Sequence, residues 1–542
     1  MLILGSLSGI QRYVFDVPAA GGGQARRLRG RSFFVQVVAE AAMLRLLRIL
    51  TWPLDDSHVL LSVAGKFALQ GPGGPEVPER LRQEEQRINN WLLRETGGEL
   101  RLSIGWADHA EPGEASHRAA QVALRNSRAR PWAPSTSGGW DSVRLVLPPL
   151  GTPCDLCGHA HAVEDEKDSE TDEVRRLCRW CAETERLGQR LPRARWLVVT
   201  NQPTGAQIEL FGLGVIVSED EHISIGSDVL AVANLRDPES RPPWCPPERF
   251  LTRRLMACVP VESGRLVEFL DLARRSDGDH LLAVLKVDAD SLGLHIEQTI
   301  SKSHDLRPLA EFSKALDGFF AGRLKAEIES ELRWRWIYTV FAGGDDFLMV
   351  GPWNVMFDFV GRVHEMFQKQ FGGQGMTFSA GLALVQPKRP IKAAVAEAER
   401  LLGRAKTSPA PGESDEKDQC AALGQMWKWK QHDEILRTAR QLVEWVRTGQ
   451  VQRGWLHTLL GLAEARHGGM FLHAASTRPP DPLATARLAH HVARNYRPGT
   501  PARLWAERLV ERFDDPRHIV VRYLPAIVRF ALMGTRTAGD KE

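Results

Sequence analysis

The chain has 542 residues, of which 43% are hydrophobic, 25% charged and 7% aromatic. That length predicts about three to five folded units, and the composition excludes a disordered, collagen-like or coiled-coil chain. Lys+Arg 70 against Asp+Glu 67 leave a formal charge of +3, too near balance for a protein that coats nucleic acid, so any RNA contact must be local.

No apolar run reaches the roughly 18 residues of a membrane span. The start, MLILGSLSGIQRYVF, lacks the basic region, apolar core and cleavage site of a signal peptide. A cytoplasmic protein without a membrane partner is expected. Residues 1–150 read as an α+β unit, alternating strand-like runs (LILGSL, HVLLSVAGKFALQ, LRLSIGW) with helical stretches. Residues 151–262 carry six of the seven cysteines, four of them in two C-x2-C pairs, an acidic solvated loop at 164–173 and a β-rich stretch ending near RPPWCPP. Residues 263–410 form a second α+β unit with strand LLAVLKVDAD, hairpin WIYTVFAGGDDFLMVG, strand MTFSAGLALV and helix KAAVAEAERLLGRAK. Residues 411–542 read as mostly helices.

The two α+β units overlay element for element. LILGSLSGI parallels LAVLKVDADSLG, LLSVAGKFALQG parallels TVFAGGDDFLMVG, RLSIGWA parallels TFSAGLA, and AAQVALRNSRAR parallels AEAERLLGRAK. Asp288 and Asp290 of the second unit fall opposite Ser6 and Ser8 of the first, and Asp345 and Asp346 opposite Gly65 and Lys66. Phe67 and Phe347 are retained. Only the second copy carries carboxylates.

Asp288 and Asp290 close a strand, and side chains two apart on a strand share a face. Gly343 and Gly344 have the chemistry of a tight hairpin turn, which puts Asp345 and Asp346 at its tip. Converging carboxylates repel unless neutralised. Hard oxygen ligands suit Mg²⁺ or Mn²⁺ held with substrate phosphates, which points to two-metal phosphoryl or nucleotidyl transfer. Gly343, Gly344, Asp290, Ser379 and Lys406 are candidate nucleotide-site residues. Lys406 also fits a plain helix C-terminal cation.

Cys154-x2-Cys157 and Cys178-x2-Cys181, 20 residues apart, have the spacing of a four-thiolate structural zinc, a closed shell that staples and does not catalyse. His159 and His161 beside it read as loop residues, and Cys245, Cys258 and Cys420 as isolated thiols. Arg26, Arg27, Arg29 and Arg31 follow a Gly-rich turn and suit either a phosphate backbone or a solvated helix start. His304-Asp305 and His432-Asp433 lack the further ligands of a metal phosphohydrolase. His490 and His491 read as surface or packing residues.

Taken together, GSLSGIQRYVF with RLRGRSFFVQVV, CDLCG…CRWC with ERLGQRLPRA, FLDLARRSDGDHLLAVLKVDADSLG, VFAGGDDFLMVGPW and SAGLAL…AEAERLLGRAK resemble the large, Palm-domain (GGDD) subunit of type III CRISPR-Cas effector complexes, the Csm- and Cmr-type family. The resemblance implies two ferredoxin-like Palm domains as a pseudo-dimer (1–150 and 263–410), a zinc-binding domain between them (151–262) and a helical C-terminal domain (411–542). It implies that target RNA paired with guide RNA, within a complex of further backbone and small subunits, switches on the joining of ATP into cyclic oligoadenylates. Asp288, Asp345 and Asp346 would hold the metals. Many members begin with an HD nuclease domain, whereas here the Palm strand starts at Leu2, so that nuclease is not expected. Ser6 stands where the motif often has Asp, which leaves the first Palm at most a cradle for a second ATP. Two competing readings are a GGDEF-like dinucleotide cyclase and a non-catalytic scaffold binding guide and target RNA.

Overall fold

The computed structural model describes residues 1–15, 23–63, 65–108, 113–130, 132, 151–158, 160–167, 174–252, 258–262, 265–292, 294–295, 298, 307–467, 470–471, 474–475 and 481–536. His159, His304 and Asp305 lie outside them. The architecture is mixed α+β, as expected. Among the described residues no helix is long and apolar enough to cross a membrane.

The first unit is a four-stranded antiparallel sheet with spatial order Val59–Val63, Lys66–Gln70, Leu2–Ser8, Arg101–Ala107. The second unit repeats that order with Tyr338–Gly343, Asp346–Pro352, Leu282–Ala289 and Phe378–Val385. The registers coincide as well. Ser6 pairs with Lys66 and Ser103, and Asp288 pairs with Asp346 and Ser379. One step up each central strand, Leu4 lies between Ala68 and Gly105, and Lys286 between Leu348 and Gly381.

In both units the last strand carries a glycine under a helix. A Cβ on Gly105 would meet Ala120 O at 2.5 Å and one on Gly381 would meet Ala398 O at 2.2 Å. These close approaches lay the helices Glu114–Ala129 and Ile391–Thr407 across equivalent faces. The final turn of each then delivers a cation to the middle strand: Arg128 donates to Ser6 Oγ and Lys406 pairs with Asp288.

The units meet reciprocally. Helix Gln24–Leu50 of the first packs on the edge strand Tyr338–Gly343 of the second, and helix Arg307–Asp317 of the second packs on the edge strand Val59–Val63 of the first. The arginine cluster Arg26, Arg27, Arg29 and Arg31 turns inward, and it forms neither a solvated helix start nor a surface offered to phosphate. Arg27, Arg29 and Arg31 are buried. Arg29 donates to Gly188 O at 2.9 Å and to Tyr338 Oη at 3.2 Å, Arg31 donates to Tyr13 O at 2.8 Å, and Arg26 and Arg27 face Glu185 at 3.9 and 3.7 Å. A buried guanidinium is tolerated only when paired, and the spacing of these residues along one helix cannot show that partners from two other segments will meet them. Tyr338→Phe is expected to cost about 1–3 kcal/mol, because a buried charged donor loses its acceptor; chemical denaturation measures it.

The middle segment differs from the sequence reading in one place. Part of the acidic stretch is a strand, Glu164–Lys167, paired with Val174–Leu177, because Arg186 and Arg175 reach Glu164 and Glu185 alongside it. A second antiparallel sheet, Trp196–Thr200, Ile208–Leu210, Leu213–Ser218 and Val229–Asn234, follows. Its inner face joins one core that runs through the first unit and one face of the second sheet. The C-terminal region also departs from a purely helical reading. Gln419–Ala422 adds in parallel beside Phe378–Val385, and Gln425–Lys428 follows it, extending the second sheet to six strands. Its other face shares one core with the C-terminal helices. A strand of four residues that is buried on both faces shows no alternation to read.

Candidate active site

Strand Leu282–Ala289 is buried on both faces, but the faces differ. Ala283, Leu285 and Val287 turn to the core shared with the C-terminal helices. Leu282 and Val284 turn to the core shared with the first unit, and by alternation so do Lys286 and Asp288. Leu348 and Val350 lie on that same face, and so does Asp346, two residues before Leu348. Two of the expected groups, Asp288 and Asp346, are thereby placed together by strand register, with Lys286, which no motif singled out, beside them.

The turn itself is Gly344–Asp345. Gly343 pairs with Asp346, which opens the second strand and does not sit at the tip. Gly344 has φ +68, a left-handed backbone that glycine adopts freely. The turn is pinned on two sides. Asp345 O accepts from Ala289 N–H at 2.9 Å, and Gly344 N–H donates to Asp317 Oδ1 at 3.3 Å. Asp317 was not singled out by any motif, because its approach depends on how helix Arg307–Asp317 folds back onto the hairpin.

Cations hold two of the three carboxylates. Lys406 pairs with Asp288 and donates to Ala289 O at 3.0 Å. Lys286 pairs with Asp346. Burial pushes the Asp346 carboxyl above its ordinary value, Lys286 pulls it down, and Asp345 and Asp288 push it further up. Among the described residues, the three aspartates do not form a group whose oxygens all lie within 4.8 Å of one another. Each lysine draws its carboxylate to itself.

Asp290 and Ser379 take a different place from the nucleotide-contacting one expected. Asp290 lies one residue beyond the strand end, where alternation no longer governs direction. It is 3% exposed. Its Oδ2 accepts from Thr377 Oγ1 at 2.9 Å, Ser379 Oγ at 3.0 Å and Asp418 N–H at 3.0 Å. Its Oδ1 lies 3.9 Å from Lys406 Nζ. Asp290 therefore supports Lys406 from beneath and fastens the turn before strand Gln419–Ala422, and Ser379, fully buried, supports Asp290.

The equivalent face of the first unit opens onto a cavity of about 410 Å³ lined by Leu2, Leu60, Phe67, Lys66, Arg125 and Arg128, closed at one side by Ala310 and Ser313 of the second unit. Lys66 is exposed. Apolar walls with three cations and no lining carboxylate suit an anionic, partly apolar ligand.

Cys154, Cys157, Cys178 and Cys181 bring their sulfurs within 4.8 Å of one another. A four-sulfur set of that size fits a tetrahedral soft-metal site. Gly158 N–H donates to Cys154 O at 2.9 Å, folding the first knuckle, while helix Arg179–Arg190 starts beside the second pair. His161 Nδ1 accepts from Gly151 N–H at 3.2 Å as a loop residue. Cys245, Cys258 and Cys420 are buried and unpaired with one another; burial pushes the Cys258 thiol up to about 12. His491 packs its ring 5.4 Å from Trp455.

His432 is a core residue. Its Nδ1 accepts from Trp427 Nε1 at 3.0 Å and its Nε2 lies 3.0 Å from Phe357 O, which sets the neutral Nε2–H tautomer. Burial holds its pKa below the ordinary value, opposed by the Phe357 carbonyl, Asp433 and Asp358. The unfolded chain takes up the proton first as pH falls, so this contribution is intact above about pH 6.5 and declines below it by up to about 1.4 kcal/mol per pH unit. Urea midpoints at pH 7.5 and 5.5 are expected to differ less in His432→Gln than in the parent; an equal difference in both would refute the assignment.

Residues 281–420 match the family described as Cas10/Cmr2, second palm domain, and residues 1–121 match Csm1 subunit domain B. The chain is 26% identical over 412 residues to the CRISPR system single-strand-specific deoxyribonuclease Cas10/Csm1 (subtype III-A) of Thermococcus onnurineus, covering 72% of this chain and 52% of that protein. It is 24% identical over 553 residues to the protein of the same name from Mycobacterium tuberculosis, covering 94% and 64%. The chain thus spans about half to two thirds of the length of these curated relatives. Its fold is similar to that of an apo Csm1-Csm4 cassette, with a TM-score of 0.74 at 20% identity over 99% of this chain and 70% of that one. A cassette in complex with cA4 gives 0.71 at 19% identity over 99% and 70%. With two domain matches in the order of the repeat and a fold shared over nearly its whole length, the chain is similar to the large Palm-domain subunits of the Cas10/Csm1 family.

Proposed function

We propose that this chain is the cyclic oligoadenylate synthase of a type III complex, activated when guide RNA captures target RNA. One observation carries the reading: Asp288, Asp345 and Asp346 converge at one strand end and hairpin, on the face of the second sheet that shares a core with the first unit. The two α+β units act as Palm domains of a pseudo-dimer, over 1–150 and 263–410. Similar cassettes bound to one ATP and to cA4 support ATP as substrate and a cyclic oligoadenylate as product.

The three aspartates are the residues that would hold Mg²⁺ or Mn²⁺, and their hard oxygens fit those ions. When bound, such ions lower the barrier to in-line attack of a 3′-hydroxyl on an α-phosphate and neutralise the departing pyrophosphate. The chain's own residues do the rest. Lys406, on the last turn of its helix, is placed to exchange Asp288 for a triphosphate oxygen. Asp290, itself held by Ser379 and Thr377, lies 3.9 Å from the Lys406 Nζ and steadies it. In the first unit, Lys66, Arg125 and Arg128 face the second nucleotide's phosphates while Leu2, Leu60 and Phe67 wall its base. Two rigidly joined units bring the attacking hydroxyl to the α-phosphate, and this positioning is a large part of the acceleration.

The four cysteines hold a structural zinc in a 151–262 domain between the Palms, and 411–542 form the C-terminal domain. A zinc segment of this kind argues against a simple GGDEF-like dinucleotide cyclase. The relatives are named single-strand-specific deoxyribonucleases, and the chain spans about half to two thirds of their length. The partners are guide and target RNA and the other subunits of the complex, in the cytoplasm. The test is mass spectrometry of products formed from ATP and Mn²⁺ by the assembled guide-RNA complex, with and without target RNA. Cyclic oligoadenylates made only with target RNA establish the reading, and a complex that binds target RNA yet makes no nucleotide product leaves a scaffold.

A further inference from the structure

Lys286 is an ammonium in the middle of a buried strand, 3% exposed, a position that is costly unless the charge has partners. It pairs with Asp346. Its Nζ lies 4.3 Å from the centre of the Phe341 ring. Glu399 stands on the overlying helix next to Ala398, whose carbonyl oxygen would lie 2.2 Å from a Cβ on Gly381, the strand partner of Lys286; burial pushes the Glu399 carboxyl up and Lys286 pulls it down. Glu399 Oε1 is buried without a hydrogen-bond partner. The internal repeat supplies a control built into the chain. The first unit has Leu4 at the register position of Lys286 and Lys66 at that of Asp346, and by the helix overlay Gln121 at that of Glu399. Where the hairpin carboxylate is missing, the strand lysine and the helix glutamate are missing with it.

We infer that Lys286 is a resident counter-cation for the hairpin carboxylate Asp346, and that Glu399 receives it when a divalent cation takes Asp346. This deepens the metal-site reading and rests on it. Lys286 is a positioning residue. It neutralises Asp346 in the empty site and competes with the metal, and Glu399 lowers the cost of that exchange by offering the displaced ammonium a second acceptor. Such competition keeps the three aspartates from gathering their oxygens within 4.8 Å of one another.

Mn²⁺ alone is titrated into the full chain by electron paramagnetic resonance, with Asp345→Asn/Asp346→Asn marking the site. Lys286→Leu, the residue type the first unit uses at Leu4, is expected to tighten Mn²⁺ about tenfold, and Glu399→Gln to weaken it several-fold, as order-of-magnitude changes for one nearby charge. In the Lys286→Leu background, Glu399→Gln is expected to have no further effect. Unchanged or weaker binding by folded Lys286→Leu overturns the inference, and so does a Glu399→Gln effect that survives in that background. Lys286→Met, with an unbranched stem, replaces Lys286→Leu if the latter fails to fold; failure of both overturns it in favour of a purely structural lysine. Parent Mn²⁺ binding that is indifferent to Asp345 and Asp346 refutes the metal-site reading itself, a result distinct from all of these.

Discussion

Asp345→Ala/Asp346→Ala, assembled with guide and target RNA, is expected to lose nucleotidyl transfer by at least about 10²–10³-fold while the complex still forms, the scale seen when one preorganised electrostatic group is removed from an active site. The reason lies in where the two residues stand. Asp345 occupies the second turn position and is tied to the rest of the site through its carbonyl bond to Ala289 N–H, so its side chain is expendable for folding. Asp346 begins a strand whose other residues are fully buried. Its replacement also leaves Lys286 without its principal partner. Part of the cost of Asp346→Ala is therefore structural, at a few kcal/mol for an uncompensated buried charge. Asp345→Ala alone separates the two effects, with unchanged melting and lost product. Full turnover by that single variant would remove Asp345 from the metal site.

Loss of the four-cysteine centre should have the largest effect on stability. Structural zinc in small modules contributes apparent free energies of about 10–16 kcal/mol at neutral pH. The residues around these cysteines have little other core: among the described residues, Leu156, Leu177 and Ala182 are the only other buried apolar ones in their cluster. Cys178→Ser/Cys181→Ser is expected to contain no zinc and to expose the helix Arg179–Arg190. The consequence should spread. That helix supplies Gly188 O to Arg29 and Glu185 to Arg26 and Arg27, and Arg29 in turn holds Tyr338 at the start of the strand that leads to the hairpin. Metal content by mass spectrometry and thermal melting test this together. One zinc per parent chain and a lower, broadened transition in the variant are expected, whereas a zinc-free parent that melts as sharply as a zinc-loaded one would dismiss the centre as a staple.

Much of the site was legible from the amino-acid order, and the reason is local geometry. Strand alternation and the Gly343-Gly344 turn brought Asp288 to a strand end and Asp345 and Asp346 to a hairpin, and the repeat matched Ser6 to Asp288 and Lys66 to Asp346, a correspondence the two registers share. The C-x2-C pairs also carry their meaning in spacing alone, because two knuckles and one ion need little else. What the order of residues could not determine is what approaches each charged group from elsewhere in the chain. Arg27, Arg29 and Arg31 read equally well as solvated or as phosphate-binding until the helix of the cysteine segment and Tyr338 are seen against them. Asp290 looked like a companion of Asp288, but the strand ends at Ala289, and three donors from residues 377, 379 and 418 claim it. The sequence by itself determined the carboxylates, the thiolates and the twofold plan of the chain, since these follow from short-range periodicity. Only the tertiary structure decided which charges are neutralised and by whom, because burial and pairing of a charge depend on segments up to hundreds of residues apart.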